Sequence, residues 1–368
     1  VVWKIEVPGK GWSSPVLSGG KLYLTTATGD PKEGNVSLRA IALDAATGRT
    51  LFDTEVFRPD PSVAARMHQK NSLASPTPIV TSDRLFVHFG HMGTAALDLA
   101  GKVLWRQTDL NYPPVHGTGG SPVLVKNVLV FSCDGAADPF VVALDAATGN
   151  VQWKTPRRAD VKKRFSFSTP LAIEVAGQTQ IISPGSGYVG SYDLKNGREL
   201  WRVNYGEGYS VVPRPVYAHG ILFLSSGFDQ AEVYAIKPAG ARGDVTDTHV
   251  AWRQRRGAPH SPSLMALGDE VYFVSDGGVL SCADARTGDV HWSQRLKGRF
   301  SASPVAAEGR IYLQSEEGVG FVVEASKTFE LLASNDLKER SLASYAVEDG
   351  AIYLRTEANL YKAGAESR

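Results

Sequence analysis

A proline-led apolar segment recurs along this chain, and its recurrence constrains the fold more than any other feature. Pro15, Pro78, Pro122, Pro170, Pro215, Pro262 and Pro304 each open such a segment, and Tyr345 stands in the eighth place. After a longer first interval the spacing stays in the forties of residues. The unit is most legible from Gly119 to Lys154. There SPVLV, VLVFS and PFVVALD read as three short strands, and the turn AATG leads to a fourth beginning at Trp153. Four strands per repeat at that period are the signature of a β-propeller. The expectation is an all-β, single-domain, eight-bladed β-propeller of four-stranded antiparallel blades. The blades fall at about 10–57, 71–110, 117–157, 164–205, 209–257, 259–298, 299–339 and 340–368 plus 1–9.

A second landmark is an acidic residue, a turn and an aromatic. It occurs from Asp44 to Phe52, Asp98 to Trp105, Asp145 to Trp153, Asp193 to Trp201 and Asp284 to Trp292. Glycine supplies the positive φ of the turn, and Asp bonds nearby backbone. The aromatic is expected to cover the junction between neighbouring blades. Blade five stretches this turn as far as Trp252, and blade seven has EASKTFELL in its place. Blade eight has only three strands before the chain ends, so VVWKIEV, with Trp3, is expected to complete it and remove an exposed edge.

Composition excludes several function classes. A net charge of +1 over 368 residues gives no global field for nucleic acid or membrane. No apolar run reaches the roughly 18 residues of a spanning helix. Phosphate-loop, nucleophile-elbow and EF-hand patterns are missing. RGDVTDTH is the nearest acidic loop and is expected on the face opposite the long loops. Cys133 and Cys282 are expected to be free thiols, and the chain a monomer.

The docking pattern A-x-D-x-x-T-G-x-x-x-W, complete from Ala143 to Trp153 and partial from Ala283 to Trp292, resembles that of the quinoprotein-like propellers. These include pyrroloquinoline-quinone (PQQ)-dependent alcohol dehydrogenases and the propeller lipoprotein of the bacterial outer-membrane assembly machinery. KNSLASPTPIV, GGSPVLV, FSFSTPL, EGYSVVPRPV and RGDVTDTHVAW resemble more closely an exported, planctomycete-type group with PQQ-like repeats. The resemblance covers essentially the whole chain. It implies a propeller and a periplasmic or secreted location, with any leader removed before this numbering begins, more strongly than it implies a reaction. Quinoprotein dehydrogenases use adjacent cysteines, and Cys133 and Cys282 are far apart, so the quinone is not expected.

Alternating strand direction sends the loops after strands two and four to one face. That face carries the long loops, where function concentrates. Of the histidines, His68, His88, His91, His116 and His260 map to it, while His219 falls in an opposite-face turn. His68, His116, Tyr209, Arg214 and His260 form the candidate catalytic set, suited to proton transfer on a carbohydrate. His88, His91, His116 and Asp134 are the candidate ligands of a divalent metal ion. Lys70, Asn71, Arg164, Asp276, Arg299 and Glu316 are the candidate ligand-binding residues. Five basic residues in Arg157–Arg164, those of RQRR and RLKGR, and Lys70, Arg66 and Arg58 make the face basic, suiting an anionic glycan or a partner protein. The leading expectation is a binding or scaffold module working through this face. The alternative is a carbohydrate-active lyase, epimerase or metal-assisted oxidoreductase. In a third reading the same groups tie loops together and fill a wet channel.

Overall fold

The computed structural model describes residues 1–61 and 67–364, so Arg66 lies outside the described residues. The strands form eight sheets around an axis, with four consecutive antiparallel strands in each except blade eight, which uses both chain ends, and blades four and five, between which one short strand is exchanged. Blade three shows the plan: Val123–Val125 is innermost, followed outward by Val128–Cys133, Phe140–Asp145 and Val151–Pro156. Blade eight combines Ala346–Glu348, Ala351–Arg355 and Asn359–Gly364 with Trp3–Glu6 from the other end of the chain. Trp3 pairs with Lys362 and Glu6 with Asn359. No helix among the described residues is long and apolar enough to cross a membrane.

The apolar core lies between blades. Leu38 of blade one packs with Leu85 of blade two, Phe86 with Phe131 of blade three, and Val130 with Tyr192 of blade four. A sheet buries its faces only against neighbours, so blade stability is shared around the ring.

The Asp–Gly–aromatic landmark acts at the junctions between blades where it is present in full, and blade three shows how. Asp145 Oδ1 accepts the N–H groups of Ala147 and Thr148 and the Thr148 hydroxyl. Gly149, at φ 78°, then turns the chain. A β-bulge after Ala143 sets the outermost strand so that Trp153 leaves its own blade. Its indole N–H donates to Leu194 O of blade four at 2.9 Å. Trp105, Trp252 and Trp292 dock alike on Ala146, Ala285 and Ser326, and Trp3 reaches Ala45 at 3.3 Å. Blade seven therefore accepts a docked indole without the landmark, because the acceptor is backbone. Trp201 is the exception, donating to Gln180 Oε1 within its own blade. The stretched blade-five turn displaces the usual acceptor, and Gly243–Asp244 instead adds to blade four as a fifth, parallel strand. The RGDVTDTH loop thus climbs the edge of blade four and does not stay on the opposite face. Asn204 N–H donates to Thr246 Oγ1 and Asn204 Nδ2 to Asp244.

A hydroxyl collar rings the axis where the innermost strands begin. Ser14 N–H donates to Thr77 Oγ1, Thr77 N–H to Ser121 Oγ, and Ser121 N–H to Thr169 Oγ1. Arg214 N–H donates to Ser263 Oγ, Ser263 N–H to Ser303 Oγ, Ser303 N–H to Ser344 Oγ, and Ser344 N–H to Ser14 Oγ. Each collar residue precedes the residue that opens its strand. Blade six departs from the sequence alignment here: its strand is Met265–Leu267, so the place held elsewhere by proline belongs to Leu264 and not to Pro262.

Candidate functional site

The long loops gather at the mouth of the axis, just outside the collar. The loops entering blades two to six contribute His68, His116, Phe165, Tyr209 and His260, a loop within blade five adds Phe228, and neighbouring rings touch. His68 and His116 have centroids 5.5 Å apart, His116 and Phe165 5.2 Å, and Phe165 and Tyr209 5.5 Å. Tyr209 then meets Phe228 at 5.9 Å, and Phe228 meets His260 at 5.1 Å. The result is an imidazole–aromatic arc from the blade-two entry to the blade-six entry. Phe228, 49% exposed, is its most open apolar surface. Desolvation and the nearby His68 hold the His116 pKa below the usual imidazole range.

Four of the five candidate catalytic residues, His68, His116, Tyr209 and His260, lie on this arc. Tyr209 is held by Lys163, whose Nζ donates to its hydroxyl at 2.6 Å and lies 3.8 Å from the ring centroid. Arg214 sits in the collar, solvent-accessible, with its pKa lowered by desolvation.

Lys70 does more than line the face. From the blade-two entry it reaches blade seven, pairing with Glu316 Oε1 at 2.7 Å. Arg340 Nη2 donates to Gln69 O and stacks its guanidinium 5.5 Å from the Trp12 ring centre. Asn71 Nδ2 bonds His116 O, and Asn71 Oδ1 accepts from Ser72 N–H and Ser75 Oγ. Residues 68–71 are thus a strap tied to blades three, seven and eight.

The acidic candidates are engaged by the fold. Asp276 accepts the N–H groups of His260 and Ser261 and the Ser261 hydroxyl. Glu316 accepts from Lys70 and Ser301 Oγ, with Arg299 Nε at 3.9 Å. These carboxylates shape loop entries, which leaves Arg164 and Arg299, both exposed, as the ligand-binding candidates with open side chains.

The expected metal ligands are not arranged as one. His88 ends a strand, buried against Phe131, with Nδ1 at 2.8 Å from Thr94 Oγ1 and Nε2 at 3.4 Å from Tyr112 OH. Burial lowers its pKa to about 3. His91 follows in a short 3-10 turn beside Tyr112, and His116 stands apart on the arc. Asp134 forms a buried ion pair with Arg157 Nε at 2.6 Å. Among the described residues, no three His, Cys, Asp or Glu side chains form a metal-binding group. Arg157 is correspondingly removed from the basic face. Its guanidinium also donates to Ser183 O and Ser183 Oγ, pinning blade three to blade four. Arg158, Lys162, Lys163 and Arg164 remain exposed.

Nor do the residues fit a quinone flanked by adjacent cysteines. Cys133 and Cys282 are free and buried in blades three and six. Burial raises both thiol pKa values, that of Cys282 to about 11.

Sequence reasoning missed Phe165 and Phe228, which join the histidines into an arc. It also missed a polar cleft of about 540 Å³ between blades four and five, lined by Tyr205, Glu207, Phe228, Asp229, Asp247 and Arg253 among others. The only available signal was the stretched blade-five turn that delivers Asp247.

Comparison with known proteins places these features in context. The family model described as outer membrane protein assembly factor BamB matches residues 1–109 and 241–363. BamB of Burkholderia pseudomallei is 25% identical over 379 residues, spanning 96% of this chain and 86% of that protein. Methanol dehydrogenase [cytochrome c] subunit 1 of Methylobacterium organophilum is 24% identical over 311 residues, spanning 78% of this chain but 46% of that protein. Among solved structures, BamB from Moraxella catarrhalis superposes with a TM-score of 0.71 at 13% identity, covering 100% of this chain and 98% of that one. The quinohemoprotein alcohol dehydrogenase ADHIIG of Pseudomonas putida gives 0.65 at 12% identity, covering 98% and 75%.

Proposed function

This chain belongs to the family of the outer membrane protein assembly factor BamB, and from that premise we propose that it is an exported binding and scaffold propeller. Its working surface is the loop face bearing the imidazole–aromatic arc, and its ligand there is an anionic glycan or a partner protein. The observation that carries this reading is the arc itself. Loops from five blades bring His68, His116, Phe165, Tyr209, Phe228 and His260 into one contact chain beside the exposed Arg158, Lys162, Lys163 and Arg164. Rings at a cationic rim suit recognition, since amphipathic side chains and Arg dominate binding surfaces. The carbohydrate-active alternative needs an acid–base pair converging on a pocket. Asp276 and Glu316, two of the carboxylates beside the arc, are held by loop N–H groups, hydroxyls and Lys70, which favours the binding reading over an acid–base role for them.

Site-specific photo-crosslinking in the native host tests it. A photoreactive residue at Arg164 is expected to capture a partner or cell-envelope glycan, and one at Lys195, in a turn on the opposite face, is not. Capture from Lys195 alone would place the working surface on the wrong side.

A further inference from the structure

The collar has one break, and its chemistry is specific. At seven links a backbone N–H meets the hydroxyl of the next blade at 2.9–3.2 Å. At the eighth, residue 214 is arginine, so Thr169 N–H meets no hydroxyl. Among the described residues, neither Thr169 N–H nor the Arg214 guanidinium has a hydrogen-bond or ion-pair partner.

The break therefore presents two donors without a partner. By the repeat geometry, the Arg214 side chain leaves the backbone where a hydroxyl would sit, beside Thr169 N–H. A guanidinium offers five N–H donors in a planar fork and accepts none. Partial desolvation lowers the Arg214 pKa and no acidic group offsets it, while the side chain stays solvent-accessible and open to a ligand. Two parallel N–H···O bonds to a carboxylate match such a fork, and the adjacent N–H supplies a third donor. The break lies at the mouth on the arc side, five residues after Tyr209 along the chain.

We propose that the gap between Thr169 and Arg214 is a carboxylate subsite, taking the uronate unit of an acidic glycan laid along the imidazole–aromatic arc. This rests on the reading of the loop face as the binding surface and names the group that enters the axis. The rings of Phe165, Phe228 and His260, which are not fully buried, suit the apolar C–H face of a pyranose, which favours a sugar acid over an acidic peptide.

Arg214→Ser is the decisive variant, because serine supplies the hydroxyl present at positions 14, 121, 263, 303 and 344 and closes the collar. Calorimetric titration uses trigalacturonate, its fully methyl-esterified form, and triglutamate. The wild type is expected to bind trigalacturonate. The ester and Arg214→Ser are each expected to weaken binding about tenfold or more, the worth of a charge-assisted pair. Arg214→Ser is expected to melt no lower than the wild type. Arg214→Gln, which keeps the length without the charge, gives the same readout if the serine variant does not fold. Equal binding by the variant, equal binding of the ester, preference for triglutamate, or no binding by the wild type would each overturn the subsite. The Arg164 crosslink judges the loop-face reading separately, so a failed subsite is distinguishable from a wrong face.

Discussion

The backbone N–H of Ser344 donates to the hydroxyl of Ser14 at 3.2 Å, joining residues 330 positions apart in the chain. This bond closes the collar at the seam where blade eight, assembled from both ends of the chain, meets blade one. Ser14→Ala removes the acceptor and is expected to lower stability by about 1 kcal/mol, read from urea unfolding. Ser14→Thr keeps a hydroxyl and is expected to stay close to the wild type.

Two glycines at positive φ separate backbone strain from docking. Gly197 has φ 71°, and an added Cβ would lie 2.4 Å from Trp153 of blade three. Gly177 has φ 77° with nothing within 4 Å. Gly177→Ala is expected to cost about 1 kcal/mol from φ alone. Gly197→Ala should cost about 2–4 kcal/mol, because the indole must also shift. Equal losses would show that the indole does not depend on the bare turn.

The carboxylate of Glu339 is the acid-sensitive lock of the seam. Burial opposes its charge, yet hydrogen bonds from Lys4, Tyr361, Asn359 and Thr356 prevail and lower its pKa to about 2. Lys4 belongs to the N-terminal strand and lies 2.7 Å away. A lowered folded pKa means that this stability is present above the ordinary carboxylate pKa and lost as pH falls toward 2. The stability advantage of wild type over Glu339→Gln should therefore shrink from pH 5 to pH 2. An advantage constant with pH would assign the role to shape alone.

Asp134 has the opposite sign. Burial raises its pKa to about 6 even though Arg157 opposes the shift, and its Oδ2 is buried without a hydrogen bond. A raised folded pKa gives stability that is present below about 4 and lost as pH rises through about 6. Wild type should lose stability relative to Asp134→Asn over that window, measured by urea unfolding at pH 4, 5, 6 and 7. Arg157→Ala, which leaves the carboxylate buried without its cation, is expected to cost about 3–5 kcal/mol at pH 7.

The parts of the site visible in sequence were those fixed by loop position. His68, His116 and Tyr209 are in loops that enter blades, and topology places such loops at the mouth. What sequence order hides is which atoms are already engaged. Arg157 looks like one more base in a basic run, yet the turn of the chain after blade three buries it against Asp134. Asp276 looks like a free carboxylate, yet its oxygens hold the loop of His260 and Ser261. His88 looks like a loop ligand, yet strand pairing with Thr94 carries it into the core.

By itself the sequence determined the eight-bladed ring and its closure by residues 3–6. Strand alternation, the Asp–Gly–aromatic turn and the missing last strand are local patterns repeated often enough to leave one architecture. It also marked seven of the eight collar residues, each preceding its proline or Tyr345, but it missed Ser263 of blade six and did not show that these residues bond. Only the tertiary structure decided that Thr169 and Arg214 face a gap and that Phe165 links His116 to Tyr209. Those contacts depend on how far neighbouring blades rotate about a common axis, and that rotation is set by packing between blades, which local sequence does not encode.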